Sequence, residues 1–207
     1  MKIVEQSYQI MVIPKNILET LEKIGRTCYQ SEGDIKPGSA EKFCKMILKK
    51  NHQSVIEHVS LTVKFITNRG VTHELVRHRL AAFSQESTRY VKYDGNMEFI
   101  RPVWWDKWSD EEKNLWGKSM SSTEAIYCRL IEQKSRLEQA REVLPNSLKT
   151  EIVVTANLRE WRHIFTMRCA KAAHPQMRAL MIPLLKELQQ LVPVIFDDID
   201  YDGKITE

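Results

Sequence analysis

The stretch HVSLTVKFIT, at residues 58–67, alternates between apolar and polar side chains. Its apolar residues recur at every second position, so in an extended chain they share one face: Val59, Leu61, Val63 and Phe65. The intervening Thr62 and Lys64 fall on the opposite face. The alternation therefore predicts a strand that is buried on one side only.

Less regular apolar segments predict further strands at 3–13, 98–103 and 150–156, although the apolar run of the last is also compatible with a buried helix. Helical spacing occurs at 16–29 and 40–50. Ser39 is a possible N-cap of the second helix.

Thr72 could cap a helix that continues into Arg77–Arg79. Three further helices are expected in the rest of the chain. Ser109 and Glu112 have the spacing of a capping box, and a long helix should run from there to about residue 142. Asn157 and Glu160 repeat this spacing at the start of LREWRHIFTMRCA. In the last helix Pro175 suits the first turn, and Pro183 should kink or split it.

The chain contains no internal repeat, low-complexity tract or linker, so its 207 residues are interpreted as a single domain, 1–207. Helices that flank a few strands separated along the chain indicate the α+β class. We expect a small, mostly antiparallel sheet flanked by helices, one of which is long.

Composition restricts the possible partners. A net charge of +4 is modest for a nucleic-acid binder, so small anions are favoured over nucleic acid. Glu5 and Gln6 interrupt the apolar start where a signal peptide needs an unbroken run, and no run is long enough to span a membrane. The four cysteines are widely spaced and form no Cys-x-x-Cys pair. We therefore expect reduced thiols and a cytoplasmic protein.

Glycine is scarce, with seven residues, and neither the dinucleotide-binding G-x-G-x-x-G nor the P-loop motif occurs. If a nucleotide binds, side chains must supply most of the contacts. His73 and His78 nearly match the zinc motif H-E-x-x-H, but their spacing of five residues places them about 140° apart on a helix. No metal site is therefore predicted.

The segment RHRLAAFSQESTRY, at 77–90, carries the candidate contacts. Arg77 and Arg79 would point about 200° apart on a regular helix, so they serve two different ligands or the helix ends there. Ser87, Thr88 and Arg89 offer hydroxyl and guanidinium donors that suit phosphate oxygens. The alternative is a solvated basic surface.

This segment resembles the signature of the flavin-dependent thymidylate synthases, in which Arg-His-Arg is followed after seven residues by Ser. Arg77-His78-Arg79 and Ser87 have this spacing, and Ser87-Thr88-Arg89-Tyr90 is similar to the continuation Ser-x-Arg-Tyr. Three more blocks resemble the family in the same order: HQSVIEH (52–58), AREVLP (140–145) and NLREWRHIFTMR (157–168). Together the blocks extend over roughly residues 45–180.

The resemblance implies an enzyme that uses FAD, NADPH and methylenetetrahydrofolate to convert dUMP to dTMP, without a protein nucleophile. It implies flavin contacts from Ser54, Arg77, His78, Arg79, Gln85, Asn157, Arg159 and His163. It implies dUMP contacts from Glu74, Arg77, Gln85, Glu86, Ser87, Thr88, Arg89, Arg141 and Arg168. Arg168 would be the catalytic residue, stabilising negative charge that develops on the pyrimidine.

The resemblance further implies non-covalent FAD and a homotetramer with sites shared between subunits. The chain departs from the family pattern at three positions: Glu74 replaces a common Gln, Ala82 replaces a common Ser, and His163 replaces an Asn found in some relatives. The block from Cys169 to Gln176 is also longer than usual.

Two other functions fit parts of the sequence. A flavoprotein reductase could bind the same nucleotides without methyl transfer. An RNA-binding protein could use the arginines together with Trp104, Trp105 and Trp108 as stacking surfaces, although no RNP-like motif is present.

Overall fold

A four-stranded antiparallel sheet forms the centre of the computed structural model, which describes residues 1–203. Positions 204–207 of the predicted domain lie outside the described residues. The strands, in chain order, are β1 (Lys2–Val4), β2 (Ser7–Val12), β3 (Ser60–Asn68), β4 (Ala81–Gln85), β5 (Glu98–Ile100) and β6 (Lys149–Asn157). The sheet has the order β2-β3-β6-β4, and β1 pairs separately with β5.

Helices surround this sheet, and the longest has 23 residues. They are α1 (Ile17–Thr27), α2 (Ser39–Lys49), α3 (Arg69–Leu75), α4 (Asp110–Glu132), α5 (Leu137–Ala140), α6 (Leu158–Arg168) and α7 (Pro175–Leu191). The α+β class, the mostly antiparallel sheet and the long helix are confirmed. Within residues 1–203, no helix is both long and apolar enough to cross a bilayer.

The predicted alternation of β3 is confirmed. Leu61, Val63 and Phe65 are fully buried, and the facing strand β6 buries Ile152 and Val154 in the same way. These side chains form the main core with α6 and α7. The indole of Trp161, on α6, donates to the carbonyl of Leu61 across 3.2 Å, so α6 is attached to the middle of the sheet.

The strand predicted at 3–13 is in fact two strands in different sheets. β2 pairs antiparallel with β3, whereas β1 pairs parallel with β5. Gln6 lies between them, where its side chain accepts from the Thr67 hydroxyl and donates to the Gln176 carbonyl. At Gln6, side-chain hydrogen bonds to distant residues thus take the place of the backbone hydrogen bonds of a continuous strand.

The prediction for α3 is wrong in both its cap and its length. The side chain of Asn68 accepts from the backbone N–H of Val71 at 2.8 Å and caps the helix, whereas Thr72 lies inside it. The helix ends at Leu75 because the chain must turn into β4, which begins at Ala81. The Arg77–Arg79 segment is therefore not helical.

Two more helix ends differ from the expectation. Gly38, with φ of 78°, precedes α2, and the hydroxyl of Ser39 donates to Glu22 instead of capping. The capping box of Ser109 is confirmed, but α4 ends at Glu132, ahead of the predicted residue 142. Lys134 takes a left-handed φ of 65° there, which a helix cannot continue through.

The remaining helix starts agree with the sequence. Asn157 caps α6 by accepting from the N–H of Glu160 at 2.9 Å, and Pro175 occupies the first turn of α7. Pro183 does not split α7, which continues to Leu191.

Candidate functional site

A cleft of about 820 Å³ lies between the loop that follows α3 and the exposed side of α6. We call it the cationic cleft, because four arginines and two histidines are among its lining residues: Gln53, Glu57, Arg77, His78, Arg79, Leu80, Asn157, Arg159, Glu160, Arg162, His163 and Thr166. Its volume is in the range of about 300–1,000 Å³ that is typical of ligand sites.

Most of the residues predicted to contact a flavin meet in this cleft. Because α3 ends before Arg77 and Arg79, both residues line the same cavity. Of the two possibilities raised for this pair, the one in which the helix ends there is correct. Asn157, Arg159 and His163 come from the start of α6.

Two predicted flavin residues are not part of the lining. Ser54 is exposed beside the lining residue Gln53. The side-chain amide of Gln85 instead donates to the hydroxyls of Thr72, at 2.9 Å, and Thr150, at 3.3 Å. These bonds hold the end of β4 against α3 and β6.

Arg168 lies at the end of α6 and is held from two sides. Its Nε donates to Nε2 of His78 at 2.9 Å. Its two terminal nitrogens donate to Glu74, one to the carboxylate at 2.9 Å and the other to the backbone carbonyl at 3.0 Å. The guanidinium is largely buried, with 17% of its side chain exposed. Three of its five N–H groups are thus committed, and two remain for a ligand.

His78 is buried beside Arg168 and is neutral at physiological pH. Burial, the charge of Arg168 and the proximity of His163 lower the pKa of His78 to about 4. Because Nε2 accepts from Arg168, the ring proton must be on Nδ1. That nitrogen lies 3.5 Å from a carboxylate oxygen of Glu160.

His78, Glu160 and His163 place possible metal-ligand atoms within 4.8 Å of one another. Both ring nitrogens of His78 are already committed, however, one as acceptor from Arg168 and the other as the protonated nitrogen facing Glu160. A cation here would also lie next to the Arg168 guanidinium. The geometry therefore favours a hydrogen-bonded chain over a metal centre.

A second cavity, of about 480 Å³, lies on the other side of Glu74. We call it the tryptophan pocket; it is lined by Asn68, Gly70, Val71, His73, Glu74, Ile100, Pro102, Trp104, Trp108, Trp116, Asn146, Ser147, His174 and Gln176. Trp104 packs edge-on against His174, with ring centroids 5.4 Å apart. Arg168 therefore contacts a wall residue of each cavity, His78 of the cationic cleft and Glu74 of the tryptophan pocket.

The other predicted nucleotide contacts lie elsewhere, and none of them is among the lining residues of these two cavities. Glu86 accepts from the Tyr93 hydroxyl at 2.7 Å. The hydroxyl of Ser87 accepts from the N–H of Arg89 at 3.3 Å, and Thr88 is buried beside them. Arg141 is partly exposed, with its nearest acid, Glu142, 3.6 Å away.

The sequence analysis missed several lining residues of the cationic cleft. Glu57 and Arg162 were not predicted, although they lie in the family-like blocks HQSVIEH and NLREWRHIFTMR. In the structure Glu57 pairs with Arg159, and Arg162 forms a double hydrogen bond with Asp198. Glu160 was interpreted only as part of a helix cap. The interval from Arg159 to Arg162 to Thr166 follows helix periodicity and would have indicated one shared face.

The chain has recognisable relatives in sequence. The profile of the family described as thymidylate synthase complementing protein matches residues 11–194. The flavin-dependent thymidylate synthase of Mycobacteroides abscessus is 37% identical over 199 residues, which cover 87% of this chain and 78% of that protein. The enzyme of the same name from Geobacter sulfurreducens is 35% identical over 181 residues, covering 84% and 78%.

Two solved structures share the fold. The UMP/dUMP methylase PolB from Streptomyces cacaoi, bound with 5-Br dUMP, superposes with a TM-score of 0.81 at 21% identity, covering 95% of this chain and 96% of the other. Thymidylate synthase X from Helicobacter pylori, with FAD and dUMP, superposes with a TM-score of 0.75 at 23% identity, covering 94% and 98%. By the extent of the profile match and the identity to its relatives, this chain belongs to the flavin-dependent thymidylate synthase family.

Proposed function

We propose that this enzyme converts dUMP to dTMP by reductive methylation, with bound FAD, methylenetetrahydrofolate as carbon donor and NADPH as reductant. The observation that carries the proposal is the position of Arg168. Its guanidinium lines neither cavity itself but hydrogen-bonds to a wall residue of each, His78 of the cationic cleft and Glu74 of the tryptophan pocket, so one permanent positive charge lies between the two walls.

The residues of the cationic cleft fit FAD. The dinucleotide is anionic through its pyrophosphate, and Arg77, Arg79 and Arg159 supply the guanidinium donors that pair well with phosphate oxygens. The lining contains no glycine, in agreement with the absence of a Gly-rich phosphate loop. We propose that Asn157 and His163 provide additional polar contacts and that Ser54 and Gln85 contribute at the margin.

The tryptophan pocket suits the planar pyrimidine of dUMP. Its aromatic walls offer stacking surfaces, and the carboxylate of the lining residue Glu74 offers an acceptor to the ring edge. Arg168, which is hydrogen-bonded to that carboxylate, is the proposed donor. FAD held in the cationic cleft would supply the hydride after its reduction by NADPH, and Arg168 would stabilise the negative charge that develops on the pyrimidine. No protein nucleophile is required.

Most of the residues predicted to contact dUMP lie outside both cavities. Glu86, Ser87, Thr88, Arg89 and Arg141 line neither cavity. We therefore propose a homotetramer in which these residues complete a neighbouring subunit's site. Arg77 and Arg79 do not support this proposal, because both line one cleft of a single chain.

Tritium release from [5-³H]dUMP tests the proposed reaction. Release should require both methylenetetrahydrofolate and NADPH, and the product should co-elute with dTMP. A flavin reductase would oxidise NADPH without releasing tritium, and that outcome would replace the proposal with its nearest alternative.

A further inference from the structure

Glu160 departs from the role that its position in the sequence predicts. It stands three residues after the N-cap Asn157, where a capping box would direct its carboxylate back to the N–H of Asn157. The carboxylate instead lies 3.5 Å from Nδ1 of His78, and the residue is only 5% exposed. A buried carboxylate is costly unless a donor satisfies it. Nδ1 of His78 is the buried donor that this geometry offers, and the exposed His163 belongs to the same cluster, within 4.8 Å.

The hydrogen bond from Arg168 determines which tautomer of His78 this contact requires. A guanidinium only donates, so the Nε2 that receives the Arg168 Nε–H must carry a lone pair. The single proton of the neutral ring is then on Nδ1, which faces the carboxylate of Glu160. An acceptor at this position favours the same tautomer that Arg168 needs.

We propose that Glu160 is a positioning residue, which acts through His78 to hold the Arg168 guanidinium in its working orientation. The inference rests on the proposed function, in which Arg168 acts on the pyrimidine. Without the carboxylate, His78 is free to adopt the other tautomer. Its Nε2–H would then face the Arg168 Nε–H, donor against donor, and Arg168 would be held by Glu74 alone.

Two substitutions of Glu160 distinguish this positioning role from a general requirement for a negative charge in the cationic cleft. Glu160→Gln and Glu160→Leu both remove the negative charge. Only Gln keeps an oxygen that can accept from Nδ1–H of His78. Because Arg168 requires a lone pair on Nε2 of the same ring, the Gln amide should turn its oxygen toward Nδ1. Glu187→Gln is the control for removal of a carboxylate elsewhere, because Glu187 bonds to Tyr8 and lines neither cavity.

The first measurement is the tautomer of His78, from the ¹⁵N shifts of its ring nitrogens, assigned by comparison with His78→Gln. Wild type and Glu160→Gln should show the proton on Nδ1, and Glu160→Leu should show a mixture or the Nε2–H form. The second measurement is steady-state kinetics with FAD content determined in parallel. Glu160→Leu should lose about 10- to 100-fold in kcat, by analogy with the loss that follows removal of the partner that orients a metal-bound histidine. Its FAD content should stay near the wild-type value.

Rescue by Glu160→Gln, with kcat within a few-fold of wild type, would support the positioning role. The proposal is overturned if Glu160→Leu keeps the Nδ1–H tautomer and wild-type kcat, or if its whole effect is loss of FAD. If Glu160→Leu does not fold, Glu160→Met removes the acceptor with a more adaptable side chain. The tautomer does not depend on turnover. A wild-type enzyme that releases no tritium would therefore refute the proposed function and leave the tautomer measurement to decide the role of Glu160.

Discussion

Arg168 and His78 are 90 residues apart in the chain, yet Nε of the first donates to Nε2 of the second across 2.9 Å. This bond joins the end of α6 to the loop between α3 and β4. Because Glu74 binds the other side of the same guanidinium, the orientation of Arg168 depends on two segments of the fold.

Arg168→Lys should lower turnover far more than it lowers FAD binding. Lysine keeps the charge but loses the planar set of donors that reaches His78, Glu74 and a pyrimidine edge at once. Loss of a contact aimed at developing charge costs about 10²–10³ in rate. Single-turnover kinetics and the flavin absorbance of the purified variant measure the two effects. Wild-type turnover would show that Arg168 is not the activating residue.

Ser87→Ala should bind dUMP more weakly and still form dTMP. The Ser87 hydroxyl lies in a turn with Arg89 and Thr88, and the described structure places no histidine in hydrogen-bond contact with it. A hydrogen bond from such a hydroxyl to a charged phosphate is worth about 1.5–3 kcal/mol, so KM should rise substantially. Complete loss of activity at saturating dUMP in a folded, FAD-bound variant, or a dUMP adduct on Ser87 by mass spectrometry, would contradict this.

FAD should be released by acid precipitation, because the cationic cleft offers ionic and hydrogen-bonding contacts for the cofactor. No cysteine is among its lining residues, and buried His78 is committed to Arg168 and Glu160. The supernatant should be yellow and its flavin should co-elute with FAD. Yellow colour that stays in the precipitate would indicate a covalent linkage.

The native protein should be a tetramer by multi-angle light scattering. Its mass should then be about four times the 24.3 kDa of one chain. Mixing Arg168→Lys chains, impaired in turnover, with Arg89→Ala chains, impaired in dUMP binding, should restore part of the activity if one site uses both residues from different subunits. A fully active monomer, or the absence of any complementation after subunit exchange, would refute shared sites.

Stability should fall below neutral pH partly because of His78. Its pKa is lowered from 6.5 to about 4 in the folded protein, so the unfolded chain binds the proton first as the pH falls. The stabilisation is complete above pH 6.5 and is lost progressively toward pH 4. Burial raises the pKa of Glu160, and this shift stabilises the folded protein as the pH falls, opposite to the effect of His78. Glu160 is present in both the wild type and His78→Gln, so the comparison of these two proteins isolates His78.

Urea unfolding at about pH 7.5 and about pH 5 measures this effect. Over this interval the wild type should lose about 2 kcal/mol more free energy of unfolding than His78→Gln, since each pKa unit corresponds to about 1.4 kcal/mol. Equal losses in the two proteins would show that His78 is not the group responsible.

Several features were determined by the sequence alone, because each depends on residues within a few positions of one another. The alternation of β3 reflects which side of a pleated strand is buried, and the caps at Ser109 and Asn157 reflect local hydrogen bonds to the first helical turn. The family signature at Arg77–Tyr90 is likewise a pattern of spacing. For these features the sequence analysis and the structure agree.

Other features were decided by tertiary structure. Only Ala81 and Phe83 of the short strand β4 pack against the core, so the sequence pattern is too weak to predict this strand. The pairing of β4 with β6 nevertheless ends α3 early. That early end brings Arg77 and Arg79 into one cleft. Glu160 has the spacing of a capping residue, but its buried carboxylate lies 3.5 Å from Nδ1 of His78. Such partners are distant in sequence, and only packing brings them together.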